Sequence, residues 1–598
     1  MKLETRKYKT IDVLKMPLKA APVAVTLLML WGIMQAIIPT ALLAVATAWF
    51  VDTAIAIFAD KAVTSAIYAP LALLLVVVAL NSLITNAGPQ IITPRIKFAL
   101  ERKFIPAFID VRASLSYKHI ESAKSWELVE RVSKDPIKSF QDGLYAYRVM
   151  IRSILSVIAI LGLIITQIWW AVPVIAVFSV PLFWVAIRAG QKNYEAKVDT
   201  RKYVRRHEYY TEVLTNREAV EERTLFGYGE KISDDFIGQY EKARKVEFWV
   251  QLKQYAMAKS ASICMSLIAI LIALTLINPV ITGDLTPGLF MGIIAAVFGM
   301  VNMLGWSLQD ATEDLAQSKE YMGDLTAFVE LSRTEGAKDL PDDEPIAFKE
   351  LEFRNVSFKY PTAEENILNG LSLKIESGKH YAFVGANGAG KTTITKLLTG
   401  LYDEYDGEIL INGKELRTYD TSALKALFSV VYQDFARYQV SLAENIALGD
   451  TARDVGDDSI NKIASLVELD ETITDLPNGI NTPLGKVMEG GVDISGGQWQ
   501  KVAIARSLIS RAPIKILDEP TAALDPIAES RIYQEFEGLM KGKTSIFISH
   551  RLGSTKLADE ILVIENGEIV ENGSHDKLMK QDGLYAQMFE AQRKWYNE

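Results

Sequence analysis

Residues 385–392 read Gly385-Ala386-Asn387-Gly388-Ala389-Gly390-Lys391-Thr392, the spacing G-x-x-x-x-G-K-[ST] of a loop that cradles phosphates. Glycines let backbone N–H groups wrap the phosphate oxygens, and the helix that follows adds the partial positive charge of its N-terminus. Lys391 is spaced to reach the β and γ phosphates, Thr392 to ligate Mg2+, and Thr393 continues the same turn. Much later, Asp518 and Glu519 close the apolar run 514–517, broken only by Lys515. Asp518 suits Mg2+, directly or through water, and Glu519 suits polarising a water for in-line attack on a γ phosphate. Ser495-Gly496-Gly497-Gln498 opens a helical stretch near Trp499. Alone it reads as an ordinary helix cap; beside the phosphate loop it reads as a second anion site.

These residues need a scaffold of alternating strands and helices. The apolar segment 381–384 reads as a strand, 391–401 as a helix, and 514–517 and 545–548 as strands, so an α/β domain is expected over 348–598. The acidic, proline-containing stretch before it makes 331–347 a linker.

The first half has another character. At 598 residues the chain is too long for one core, and it combines 49% hydrophobic with 23% charged residues, so the two must be segregated. Apolar runs near 21–50, 67–92, 149–168, 170–188, 255–277 and 287–308 predict an all-α membrane domain of six spans over 1–330. Ala44-Val45-Ala46 resembles a signal-peptide cleavage site, but the run around it is far longer than the ~7–15 residues of such a region. Pro70, Pro89, Pro173 and Pro181 are candidate kinks. Lysine and arginine concentrate at the N-terminus and in 95–148 and 188–253, which places both termini and both long connections in the cytosol. Their helix-forming composition predicts helical extensions beyond the lipid rather than coil. A net charge of −9 with interspersed signs argues against a nucleic-acid partner, and the single Cys264 permits neither an intrachain disulfide nor a cysteine metal site.

Together these motifs resemble the ATP-binding cassette family, and six spans fused to one C-terminal cassette resembles its exporters over essentially the whole chain. The resemblance implies ATP and Mg2+ as cofactors. It implies that Tyr360 stacks on adenine, Gln433 senses Mg2+ and the transport domain, Asp525 in the stretch 523–525 lies at the dimer interface, and His550 contacts the γ phosphate. It implies further that Ser495 and Gly497 touch ATP held by Lys391 of a second chain. Because Glu519 and His550 are both present, a homodimer with two equal sites is expected. The turns near 119–126 and 214–220 fall where coupling helices dock, and the implied cycle is alternating access. Ile494 stands where the family has leucine.

For cargo the sequence is thin. Gln35, Thr47, Asn81, Asn86, Gln90, Gln167 and Asn302 are singly interhelical glue. Collectively they suit a neutral or amphipathic solute more than a strongly anionic one. The stretches 433–438 and 497–501 resemble cassettes of lantibiotic exporters without a peptidase domain, which makes a peptide the expected cargo, with multidrug or lipid export as the alternative. A soluble cassette protein would lack the spans, and a channel would show a degenerate site.

Overall fold

The computed structural model describes residues 1–597 apart from 61–64, 166–168, 170, 217–218, 303–306, 520–541 and 549–553. Two compact units result: Met1–Val111 with Glu127–Glu330, and Arg112–Trp126 with Leu331–Glu598.

Among its described residues the first unit is helical. The apolar run 21–50 forms the helix Pro22–Ile37, a π-helical turn Ile38–Leu42 and the helix Leu43–Asp60. Pro39 falls in that turn, and proline, which offers no N–H, is tolerated by a widened turn. The next run and the charged segment after it form one helix, Tyr68–Ala113, of 46 residues. At ~1.5 Å per residue it is about 69 Å long, more than twice the ~30 Å hydrocarbon layer. Ala171–Thr215 and Gly229–Thr282 are likewise 45 and 54 residues, so the long charged segments are helical continuations of apolar ones. Pro89 and Pro279 sit inside such helices without ending them.

Among the described residues, Ser65–Ala113 and Pro136–Gly162 are long and apolar enough to cross a membrane, and Pro22–Ile37, Leu43–Ala59, Ala269–Thr282 and Pro287–Gly299 are shorter apolar helices. Small residues let two of them approach closely. A Cβ built on Gly292 would lie 2.5 Å from the Ala44 carbonyl oxygen, and the Gly288 N–H donates to Asp52 Oδ1 at 2.7 Å. At the other end of the unit, Phe104 packs edge-on against Phe140 at 4.9 Å and Phe108 stacks on Phe328 at 5.0 Å. These rings join Tyr68–Ala113, Pro136–Ile165 and the helix Leu308–Glu330.

Among its described residues the second unit holds ten strands in two sheets. Strands β1 (Glu350–Phe358), β2 (Leu368–Glu376), β4 (Asp406–Ile411) and β5 (Lys414–Glu415) form an antiparallel sheet in the order β2-β1-β4-β5. Strands β3 (His380–Val384), β6 (Phe428–Val431), β7 (Ile514–Asp518), β8 (Thr544–Ile548), β9 (Glu560–Glu565) and β10 (Glu568–Gly573) form the other, in the order β10-β9-β3-β8-β7-β6. Only β10 runs antiparallel to its neighbour. Every residue of β7 and β8 is buried, as a parallel sheet covered on both faces requires. A separate helical cluster gathers around buried Trp499, with Leu442, Ile446 and Leu484. The linker is tied to the cassette, because Lys425 Nζ donates to the carbonyls of Gly336, Ala337 and Asp339 at 2.6–3.1 Å.

Candidate functional site

The site lies at the carboxyl edge of the parallel strands, where open α/β sheets bind ligands. From β3 the chain enters the phosphate loop. Gly385 has no alternative there, since a Cβ would sit 2.2 Å from the Ile564 carbonyl oxygen, and Gly390 takes φ +105° to start the helix Lys391–Leu398. Lys391 folds back on the loop, with Nζ donating to the Gly385 and Ala386 carbonyls at 2.8 and 2.9 Å. Burial pushes its ammonium below the usual lysine range, while Glu519 and Asp518 pull it back up. The loop therefore holds a cation ready for an anionic ligand, with Ala389 and Thr393 buried beside exposed Asn387 and Gly388.

Strand β7 delivers Asp518 to the same edge. It is 1% exposed, and neither carboxylate oxygen has a hydrogen-bond partner. Burial pushes the carboxyl up to about 6, against a smaller downward pull from Thr392. A buried carboxylate with little but a threonine hydroxyl beside it is a fitting place for a divalent cation. Among the described residues no cluster of three or more His, Cys, Asp or Glu could hold a metal by itself. Asp518 with Thr392 would suit Mg2+, which takes one or two protein oxygens and completes its shell with phosphates and water. Glu519 follows with φ +49°, a left-handed conformation that a non-glycine residue adopts at a cost, held by its N–H donating to Ile548 at 2.8 Å.

Gln433 is exposed just past β6 and so leaves the sheet at the same edge. Ser495 caps the helix Gly496–Ile509: its Oγ accepts from the Gln498 N–H at 3.2 Å, and Gln498 Oε1 accepts from the Ser495 N–H at 2.8 Å. The ordinary-cap reading of this turn is thus present, and it leaves exposed Gly496 at the helix start. Tyr360 stands near the loop, its hydroxyl 2.9 Å from Thr393 Oγ1 and its ring edge-on to Phe358 and Tyr402. Asp525 and His550 lie outside the described residues; β8 ends two residues before the histidine.

Residues 368–522 match the family model described as ABC transporter. The chain is 30% identical over 492 residues to the subtilin transport ATP-binding protein SpaT of Bacillus subtilis, covering 80% of this chain and 78% of that one. The chain is an ABC transporter. It is also 32% identical over 486 residues to an ATP-dependent lipid A-core flippase of Vibrio vulnificus (strain CMCP6), covering 79% and 80%. Its fold is similar to the structure of a bacterial Atm1-family ABC exporter with ATP bound, with a TM-score of 0.75 and 23% identity over 96% of this chain and 98% of that chain. The ABC transporter therefore has the exporter build read from its sequence: a helical membrane region and an α/β cassette that binds ATP and couples its hydrolysis to transport.

Several residues of the transporter escaped the sequence reading. Lys515, read only as a break in an apolar run, is completely buried, and its Nζ donates to the Ser507 and Ser510 carbonyls at 2.7 Å. It supplies donors to the C-terminal end of the helix that Ser495 starts, and burial pushes its ammonium down to about 7. Its signal was a lysine flanked on both sides by buried aliphatics. In the segment Arg112–Trp126, the short helix Tyr117–Glu121 offers Lys118 to Glu404 at 2.5 Å and Glu121 to Lys396 and Tyr402. In the membrane region Gln35 Nε2 donates to the Ile84 carbonyl at 2.9 Å, which is interhelical glue, and Thr47 bonds back to Leu43. The side chains of Asn86, Gln167, Asn302 and Cys264 lie outside the described ones. Arg148 and Arg152, one turn apart, went unweighed; Arg148 Nη1 and Arg152 Nε are buried without hydrogen-bond partners.

Proposed function

We propose that two copies of this chain form an exporter that drives a peptide out across the cytoplasmic membrane by alternating access, hydrolysing MgATP at two composite sites. The observation that carries the catalytic part is the convergence of the Lys391 loop, Asp518 and Glu519 on one sheet edge. Lys391 neutralises the β and γ phosphates once its ammonium exchanges loop carbonyls for phosphate oxygens. Thr392 and Asp518 would hold Mg2+, with Gln433 at its rim, and the ion would offset charge on the phosphates. Glu519 orients and polarises the attacking water, and His550 holds the γ phosphate. Ser495, Gly497 and Asp525 of one copy complete the site of the other, which makes the pair obligatory. A cytosolic location for both termini and the long helical extensions is supported by the concentration of lysine and arginine in those segments.

Peptide cargo is supported by the relative named for subtilin transport and by the residues 433–438 and 497–501. A lipid is the second reading, favoured by the lipid A-core flippase relatives and by Arg148 and Arg152, whose orphaned nitrogens an anionic headgroup would satisfy. ATP hydrolysis by the purified chain in liposomes, titrated with a cationic antimicrobial peptide and separately with an anionic glycolipid, tests the two. Stimulation by peptide at micromolar concentration supports the first reading; stimulation by glycolipid alone replaces it with the second.

A further inference from the structure

Tyr360 is held by more than the phosphate loop. Lys396, one turn into the helix Lys391–Leu398, places Nζ 5.3 Å from the centroid of the Tyr360 ring and 5.3 Å from that of Tyr117, within reach of a cation–π attraction to each. Its ammonium is fixed by one oxygen of Glu121, while the other accepts from the Tyr402 hydroxyl. Tyr402 in turn lies edge-on to Tyr360 at 5.5 Å and to Tyr117 at 5.6 Å. One carboxylate thus holds both the cation and the ring that border Tyr360. Burial works to raise the Glu121 carboxyl, but the bonds from Lys396 and Tyr402 outweigh it and hold it below the usual range. Burial also opposes the Lys396 charge, and Glu121 together with Tyr360 and Tyr117 more than restores it. The pair is half-sheltered, with side-chain exposures of 17% and 34%, so solvent screening weakens it without abolishing it.

We propose that Glu121 and Lys396 are positioning residues for the nucleotide base. Through them the segment Arg112–Trp126 sets the angle of the Tyr360 ring, and hence the affinity of the cassette for ATP. This rests on the reading that Tyr360 stacks on adenine. Withdrawal of Glu121 frees Lys396 and Tyr402 together, so a movement of the short helix Tyr117–Glu121 is felt at the base and not at the phosphates, which the loop itself holds.

The test uses the full chain in liposomes and measures KM for ATP, kcat, and inhibition by inorganic tripolyphosphate, which has no base. Lys396→Met is expected to raise KM for ATP roughly three- to tenfold, with kcat changed by less than a factor of about two and the tripolyphosphate inhibition constant unmoved. Lys396→Arg, which keeps a cation over the ring, should restore KM. Glu121→Gln should raise KM by a smaller factor, and the double variant should be no worse than Lys396→Met. An unchanged KM in Lys396→Met, alongside a raised KM in Tyr360→Ala, overturns the proposal while leaving the stacking reading intact. Equal shifts in ATP and tripolyphosphate affinity also overturn it, because a general loosening of the cassette would do that. An unchanged KM in Tyr360→Ala removes the stacking reading itself.

Discussion

The cassette and the membrane unit obey different solvents, and that decides what each can show. In the cassette the buried ammonium groups are answered: Lys391 finds two loop carbonyls and Lys515 two helix-end carbonyls. Asp518 is the contrast: burial raises its carboxyl to about 6 against only a smaller pull from Thr392, and a buried carboxylate so little supported is itself a pointer to chemistry. In the membrane unit the packing is carried by close approach of small residues, such as Gly292 against Ala44, and by aromatic clustering. Those contacts fix helices against one another and are silent about what passes between them. Chemistry is therefore written in the cassette and cargo is not.

The largest expected effect breaks the cassette's chemistry and spares its fold. Glu519→Gln should lower ATP turnover by on the order of 100-fold or more while leaving nucleotide binding intact, measured by hydrolysis and by filter binding. Normal turnover would remove Glu519 from its assigned role.

Asp518→Asn separates function from stability in a second way. The wild-type carboxyl, raised to about 6, binds a proton more tightly folded than unfolded. Its contribution to stability is thus present at low pH and is lost as pH rises through 6. At pH 7.5 without Mg2+ the variant should be more stable by about 2–3 kcal/mol, a difference that vanishes near pH 4, and should hydrolyse no ATP. A lower melting temperature at pH 7.5 would contradict the orphaned-carboxylate account.

Gly292→Leu is the converse. Its side chain would collide with the Ala44 backbone, so thermal unfolding of the membrane unit should come earlier by about 1–3 kcal/mol. Nucleotide binding by the cassette should be unchanged, and a loss of it would show that damage to the membrane unit reaches the ATP site.

Lys515→Met gives the smallest effect and the clearest sign. With the folded ammonium lowered to about 7, the unfolded chain binds the extra proton between pH 7 and its ordinary value. Wild type should therefore gain stability relative to the variant as pH rises from 7.5 to 9, by at most about 1.4 kcal/mol per pH unit. A flat difference across that range would mean that Lys515 is charged in the fold.

What was legible in the sequence was whatever a local motif determines. The glycines at 385 and 390, the capping turn at Ser495 and the strand-end acids 518 and 519 take their geometry from neighbours in the chain, and each stands where its spacing placed it. The membrane helices were legible as lengths, because continuous apolar runs leave few alternatives in lipid. What was hidden depends on partners distant in the chain. Glu121 and Lys396 are 275 residues apart, and nothing in either neighbourhood announces the other. Lys515 looked like a flaw in a strand because its acceptors belong to another element's end. Arg148 and Arg152 fell at the edge of an apolar run, where charge is expected to meet water, yet Arg148 Nη1 and Arg152 Nε are shielded from it.

The central claim, that each ATP site is built from two copies of this chain, is tested most directly by mixing two inactive variants. Lys391→Ala and Ser495→Arg chains, each inactive alone, are co-expressed, and ATP hydrolysis is measured on heterodimers purified with two different tags. In a composite arrangement one site of the heterodimer carries both lesions and the other carries neither, so hydrolysis should return to about half the wild-type rate, one intact site of two. Heterodimers as inactive as either parent would contradict the claim, because lesions confined to separate single-chain sites would leave no intact site.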